Sequence, residues 1–121
     1  MINASLLNSS LRSLASALAA KTISSVELTR LFLERIGSLN AALNAFITVD
    51  AERSLAGAGR ADAARARGTA GPLAGIPVAH KDIFCTRGLL TTCGSKMLSN
   101  FISPYDAHVI ERFNAAGAVL L

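Results

Sequence analysis

Apolar residues in the first half of the chain recur at the spacing of amphipathic helices. Leucines fall every three or four residues at Leu7, Leu11, Leu14 and Leu18. The serine pair at Ser9 and Ser10 can cap this first predicted helix. Ser24 and Glu27 form the pattern of a capping box that opens a second helix. An alanine-rich stretch over 50–66, interspersed with Asp, Glu and Arg, predicts a third helix.

The pattern changes after the segment 68–72, whose Gly and Pro residues end the helical part of the chain. A mainly apolar run over 76–84 predicts a buried strand. We expect a loop over 86–94 and a short helical turn over 96–100 to follow it.

The last part of the chain predicts a second helix-and-strand unit. A helix over 107–116 has Asp106 as its expected N-cap and Gly117 as its C-terminal stop. The apolar run over 118–121 predicts the opening of another strand. Strand, helix and strand in this order predict parallel pairing. We therefore expect an α/β fold with an N-terminal helical segment packed on it.

The domain organisation follows from this change of pattern. We expect 1–70 to form a helical segment and 71–121 to form the start of an α/β core. Because an apolar run follows directly on a helix stop, the chain resembles the N-terminal part of one larger domain, the remainder of which is absent.

Composition and charge exclude several classes of protein. Apolar residues make up 51% of the chain, yet no stretch of about eighteen continuous apolar residues predicts a transmembrane helix. No basic leader precedes an apolar core at the N-terminus, so we expect no secretory signal and a cytoplasmic protein. The net charge is +4, but the arginines are spread out and aromatic residues are 5%. We therefore expect solvated helix faces rather than a nucleic-acid surface.

Cysteines and glycines do not indicate a metal or a phosphate site. Cys85 and Cys93 are the two cysteines, and free thiols are the expected state at this spacing. A structural metal site would need about four ligands, for which the chain offers no cluster. The spacing of the glycines fits neither the G-x-G-x-x-G pattern nor the Walker pattern of phosphate-binding loops. We therefore expect no cofactor in this chain.

Lys81 is the strongest candidate for a catalytic residue. It lies at the end of the predicted strand over 76–84, where an ammonium removed from water must be paired or lose its proton. A lysine that has lost its proton is a base, which is how buried lysines become catalytic. Two ordinary alternatives stand beside this interpretation: the side chain reaches solvent from the strand end, or it pairs with Asp82.

The other polar residues near Lys81 and in the last helix are weaker candidates for a catalytic role. On a strand, His80 would point to the face opposite Lys81, so we expect it to be packed or exposed rather than catalytic. His108 lies near the start of the last helix and should face solvent. Lys81 is the one neighbouring residue that could act as a base for the Cys85 thiol. We therefore expect Cys85 to be a small packing residue rather than a nucleophile. The two histidines cannot complete a Ser-His-Asp arrangement.

Five motifs carry a resemblance that covers essentially the whole chain. They are S-S-V-E-L-T over 24–29, N-A-F-I-T-V over 44–49, G-P-L-A-G-I-P-V-A-H-K-D-I-F over 71–84, T-T-C-G-S-K-M-L over 91–98 and S-P-Y-D-A-H-V-I-E-R-F-N-A-A-G-A-V-L-L over 103–121. Together they resemble the amidase signature family, and within it the glutamine-hydrolysing subunits of tRNA-dependent amidotransferases. The Gly-Ile-Pro and Lys-Asp elements mark the family, whereas T-T-C-G-S-K and Y-D-A indicate the subunit.

The resemblance implies a fold and a mechanism. The fold would comprise N-terminal helices, then the first strands and crossover helix of the family's mixed sheet. Members of the family use a lysine as the base, which acts through a bridging serine in a cis peptide linkage on a nucleophilic serine. Lys81 matches the lysine. The serines lie in a Gly- and Ser-rich segment further downstream, so Ser95, Ser99 and Ser103 do not stand in for them. The T-T motif over 91–92 would shape the loop beside the site.

The resemblance also implies partners. The whole subunit would hydrolyse glutamine within a heterotrimer that contains two other amidotransferase subunits. One partner subunit would use the ammonia, with ATP and Mg²⁺, to amidate Glu-tRNA(Gln) or Asp-tRNA(Asn), so charged tRNA would be reached through that partner. Two alternatives stay open: a stand-alone amidase-signature hydrolase of small amides, which would not co-purify with two other chains, and a non-catalytic fragment that serves as an assembly surface.

Overall fold

The computed structural model describes residues 4–121. Three helices come first, followed by a short strand, a long connection, a fourth helix and a second short strand. These elements are a 3₁₀ turn over Ala4–Asn8, α1 over Leu11–Ala19, α2 over Ser25–Leu43, α3 over Ala51–Ala66, β1 over Pro77–Val78, a 3₁₀ turn over Lys96–Leu98, α4 over His108–Ala116 and β2 over Val119–Leu120. This is the predicted order of a helical segment followed by an α/β unit.

Side-chain caps fix where the first three helices begin. Ser10 caps α1 and Asp50 caps α3, each by accepting a hydrogen bond from a backbone N–H of the first turn. At α2, Ser24 Oγ accepts from the Glu27 N–H at 3.1 Å, and the Glu27 carboxylate accepts from the Ser24 N–H at 2.9 Å. The predicted capping box is therefore confirmed. The bonds from Ser24 hold the pKa of the Glu27 carboxyl below its ordinary value.

Two predictions about the helices are wrong. The N-cap of α4 is Ala107, which makes no side-chain cap, because the Asp106 carboxylate accepts from the Arg87 N–H at 2.7 Å instead. Leu11 belongs to the predicted buried stripe of α1 but is 55% exposed. It is the first residue of α1, so only the later leucines of that helix reach the core.

The two strands pair in parallel, with Pro77 opposite Val119 and Val78 opposite Leu120. Parallel pairing is the arrangement that the strand, helix and strand pattern predicts. Gly117 ends α4 at a φ of +81°, which glycine adopts without steric cost, and β2 follows directly.

The predicted strand over 76–84 is much shorter in the structure, where only 77–78 pair. The backbone turns at Lys81, whose carbonyl oxygen accepts from the N–H groups of Ile83 and Phe84 at 2.8 and 3.2 Å. This turn ends the extended backbone, so 82–84 do not continue the strand.

The hydrophobic core lies between the first two helices and β1. Its buried members are Leu14, Leu18, Ile23, Leu28 and Ile76. Because Ile76 immediately precedes β1, burial of its side chain fixes the start of the strand against the helices. Within residues 4–121, every helix is too short or too polar to span a lipid bilayer.

A polar network reinforces this contact. The Asp62 carboxylate of α3 accepts from the N–H groups of Ser25 and Val26 at 2.8 and 3.1 Å. Ser25 Oγ donates to the Gly75 carbonyl at 3.0 Å. The network thus joins α2, α3 and the residues that lead into β1, and it helps to determine where the following segment leaves the sheet.

Candidate active site

A cleft of about 610 Å³ lies beyond the carboxyl ends of the two strands. Its walls come mainly from 45–48, 79–84, 89–91 and 120–121. Ligand sites in parallel sheets commonly lie at this edge, because the loops that leave the strands converge there. Lys81 is one of the lining residues.

Lys81 reaches this cleft because β1 ends three residues before it. The Val78 carbonyl accepts from the Leu121 N–H at 3.0 Å, which holds the last residue of β1 in the sheet. In this chain Lys81 is exposed, in agreement with the alternative in which its side chain reaches solvent. The turn at 81–84 leaves its side chain at the surface of the cleft, where a reacting group can approach it.

Asp82 does not pair with Lys81. The ion pair found among residues 4–121 joins other side chains, and the Asp82 carboxylate accepts from the backbone N–H and the hydroxyl of Thr92. The alternative in which Asp82 neutralises the lysine is therefore wrong. Sequence reasoning missed the link to Thr92, because ten positions separate the two residues and no local pattern relates them.

His80 lines the same cleft as Lys81, so the prediction that they face opposite sides is wrong. Successive side chains point to opposite faces only within a strand, and β1 ends at Val78, before both residues. The His80 ring bonds through Nε2 to Thr86 Oγ1 at 2.8 Å, and its Nδ1 is buried with no hydrogen-bond partner among residues 4–121. Burial holds the pKa of His80 below its ordinary value, although the Asp82 charge opposes this.

His108 is far more exposed than His80, as predicted. Its side chain is 84% exposed, and its Nδ1 lies 3.4 Å from the Glu111 carboxylate one helical turn away. A pair this exposed contributes little to stability or chemistry.

The two cysteines are free thiols, as predicted. The Cys85 thiol donates to the Tyr105 hydroxyl at 3.4 Å, and this contact raises the pKa of the Tyr105 phenol. Cys93 is exposed and lines the cleft. Among residues 4–121, no three His, Cys, Asp or Glu side chains come together in a way that could hold a metal ion.

Three serines that follow the lysine in sequence do not line the cleft. Ser95, Ser99 and Ser103 are absent from the walls that residues 4–121 provide. Ser95 instead caps the short 3₁₀ turn, and buried Ser103 donates to the Tyr105 carbonyl at 2.7 Å. The cleft therefore presents a lysine without a neighbouring nucleophilic serine from this segment.

Similarity to known proteins agrees with the motifs around the lysine. The family model described as Amidase matches residues 27–121, which is more than half of the chain. The chain belongs to the amidase signature family. It is 62% identical over 116 residues to the A subunit of the glutamyl-tRNA(Gln) amidotransferase of Azoarcus sp. (strain BH72), a match that covers 96% of this chain and 24% of that relative. The corresponding protein of Thiobacillus denitrificans is 66% identical over 108 residues, covering 89% of this chain and 22% of the relative.

The fold agrees as well. The native peptide amidase from Stenotrophomonas maltophilia superposes with a TM-score of 0.87 at 32% identity, over 93% of this chain and 24% of that enzyme. The predicted family and fold class are thereby confirmed. The chain spans about a quarter of the length of the relatives it matches, since coverage of the relative is 24% in the Azoarcus protein.

Proposed function

We propose that the chain is the N-terminal part of the glutamine-hydrolysing subunit of a tRNA-dependent amidotransferase. The observation that carries this proposal is the position of Lys81, on the wall of a cleft at the carboxyl ends of the strands. The 62% identity to the A subunit of a glutamyl-tRNA(Gln) amidotransferase supports this choice among the members of the family.

In the proposed reaction, Lys81 is the base that starts the attack on the glutamine carboxamide. Its neutral amine would accept a proton from a bridging serine, which in turn takes the proton of the nucleophilic serine. The nucleophilic oxygen would form an acyl bond as the carbon–nitrogen bond breaks. The proton taken up by Lys81 would pass to the departing nitrogen, which leaves as ammonia. Water would then hydrolyse the acyl-enzyme and release glutamate. Both serines would belong to the remainder of the domain.

The ammonia would be used by a partner. In a heterotrimer with two other subunits, one partner would amidate Glu-tRNA(Gln) or Asp-tRNA(Asn) with ATP and Mg²⁺, so this subunit would need no cofactor of its own. The complex would act in the cytoplasm and would contact charged tRNA through that partner.

A comparison of two nitrogen donors tests whether this subunit releases the ammonia and a partner subunit uses it. In the assembled complex with the full-length subunit, Lys81→Ala should abolish tRNA amidation with glutamine but leave amidation with added ammonium chloride intact. Lys96→Ala is the matched control, because Lys96 is exposed and lies outside the cleft walls formed by residues 4–121. Glutamine-dependent amidation at the wild-type rate would show that Lys81 is not the base.

A stand-alone amidase is the second candidate, and the similarity to a peptide amidase supports it. Such an enzyme would purify without partner subunits and would hydrolyse small amides at a rate that charged tRNA does not change. Co-purification of the full-length protein with two other chains favours the amidotransferase.

A further inference from the structure

The Asp82 side chain faces the loop over 91–94 rather than its neighbour Lys81. Its carboxylate accepts from the Thr92 N–H at 2.8 Å and also from the Thr92 hydroxyl. Its backbone carbonyl accepts from the Cys93 N–H at 2.9 Å. Three hydrogen bonds therefore join the residue that follows Lys81 to two consecutive residues of one loop.

The Thr92 hydroxyl is the donor in its hydrogen bond with the Asp82 carboxylate. Thr92 Oγ1 already accepts from the Gly94 N–H at 3.1 Å, and an ionised carboxylate can only accept. The hydroxyl therefore donates to Asp82, and charge-assisted hydrogen bonds of this kind are stronger than neutral ones. Thr92 is 8% exposed, so water competes little for its hydroxyl.

The loop itself is anchored on its other side. The Thr91 N–H donates to the Phe101 carbonyl at 3.0 Å, and Leu90 forms an antiparallel bridge with Ile102. Asp82 therefore fastens the lysine segment to a part of the chain that has its own backbone support.

We propose that Asp82 is a positioning residue for Lys81, and that Thr92 acts through it. The inference rests on the proposed function, in which Lys81 is the base. Pairing of β1 with β2 holds the backbone before the lysine, and the bonds of Asp82 hold the backbone after it. With both sides fixed, the backbone that carries the lysine side chain is held at one place beside the cleft. Misplacement of a catalytic group by about 1 Å can cost about 100-fold in rate.

The test measures glutamine hydrolysis by the full-length protein in its complex. Asp82→Ala should lower kcat about 100-fold, while KM for glutamine stays within about twofold because Asp82 places the base and not the substrate. Thr92→Val should lower kcat about tenfold, since it removes one bond to the carboxylate and keeps the backbone bond. Thr92→Ser keeps the hydroxyl and should restore kcat to near the wild-type value.

Two further variants separate positioning from general stabilisation. If Thr92 acts through Asp82, Thr92→Val should cause no additional loss of kcat in the Asp82→Ala background. Thr29→Val removes a hydroxyl that is fully buried and has no hydrogen-bond partner among residues 4–121. This matched control should leave kcat unchanged.

The outcomes distinguish this proposal from the proposed function. If Lys81→Ala is inactive while Asp82→Ala and Thr92→Val turn over like the wild type, the base assignment stands and the positioning role is wrong. Losses that multiply in the double variant, or a lower Tm with unchanged kcat, also overturn the positioning role. If Lys81→Ala keeps wild-type turnover, the proposed function fails, and the positioning role fails with it.

Discussion

Removal of the Asp62 carboxylate should loosen the first turn of α2. This carboxylate accepts from two consecutive backbone N–H groups, those of Ser25 and Val26, at 2.8 and 3.1 Å. Asp62→Ala leaves both donors without a protein partner. Ser24 continues to cap the Glu27 N–H, so the helix keeps its start and loses only the tertiary bonds.

The magnitude follows from the partial burial of these bonds. Hydrogen bonds to a charged acceptor contribute about 1.5–3 kcal/mol each, and water can replace part of that contribution at a half-buried site. We therefore expect Asp62→Ala to cost about 2 kcal/mol in total, which is close to the upper range for the loss of a helix cap. Asp62→Asn keeps one accepting oxygen and should cost about half as much.

Hydrogen exchange followed by mass spectrometry measures this effect locally in the full-length protein. When a local opening becomes about 2 kcal/mol easier, exchange accelerates about 30-fold, and we expect this for the amides of the first turn of α2. Glu34→Ala is the control, because it removes an exposed acid from the same helix. Equal exchange in Asp62→Ala and Glu34→Ala would refute the argument that Asp62 fixes the start of α2.

Three further predictions concern glycine and histidine positions. Gly75→Ala should destabilise the protein by about 1–3 kcal/mol, because φ is +81° and a Cβ would lie 2.8 Å from Ser25; thermal unfolding at wild-type Tm would contradict this. Gly59→Ala should stabilise α3 by about 0.5–1 kcal/mol, because nothing lies within 4 Å of the added Cβ; a lower Tm would show that the site is crowded. The pKa of His80 is lowered in the folded state, so protons bind more readily to the unfolded state. The buried His80 ring therefore contributes less to stability as the pH falls below about 6.5, the ordinary pKa of histidine. His80→Gln should reduce the fall in Tm between pH 7.5 and 5.5; a fall in Tm equal to that of the wild type would contradict the burial argument.

Local patterns predicted the parts of the fold that local physics determines. The capping box at Ser24 and Glu27 depends on residues three apart, and Gly117 ends α4 because the left-handed conformation at that position favours glycine.

The sequence could not reveal the bonds that join distant residues. Asp62 bonds to Ser25 across 37 positions, and Asp82 bonds to Thr92 across ten. In both pairs the carboxylate satisfies backbone donors, a role that any acidic residue could take and that no spacing marks. The turn at Lys81 was missed for a related reason, since its backbone bonds do not depend on the apolar pattern.

The rate of glutamine hydrolysis by Lys81→Ala in the full-length protein decides whether Lys81 is the catalytic base. Because a positioned general base contributes about 10²–10⁴-fold, Lys81→Ala should lower kcat at least about 100-fold. The folded structure should be retained, as judged by an unchanged Tm, and Lys96→Ala should behave like the wild type. Wild-type turnover in folded Lys81→Ala would show that Lys81 is not the base.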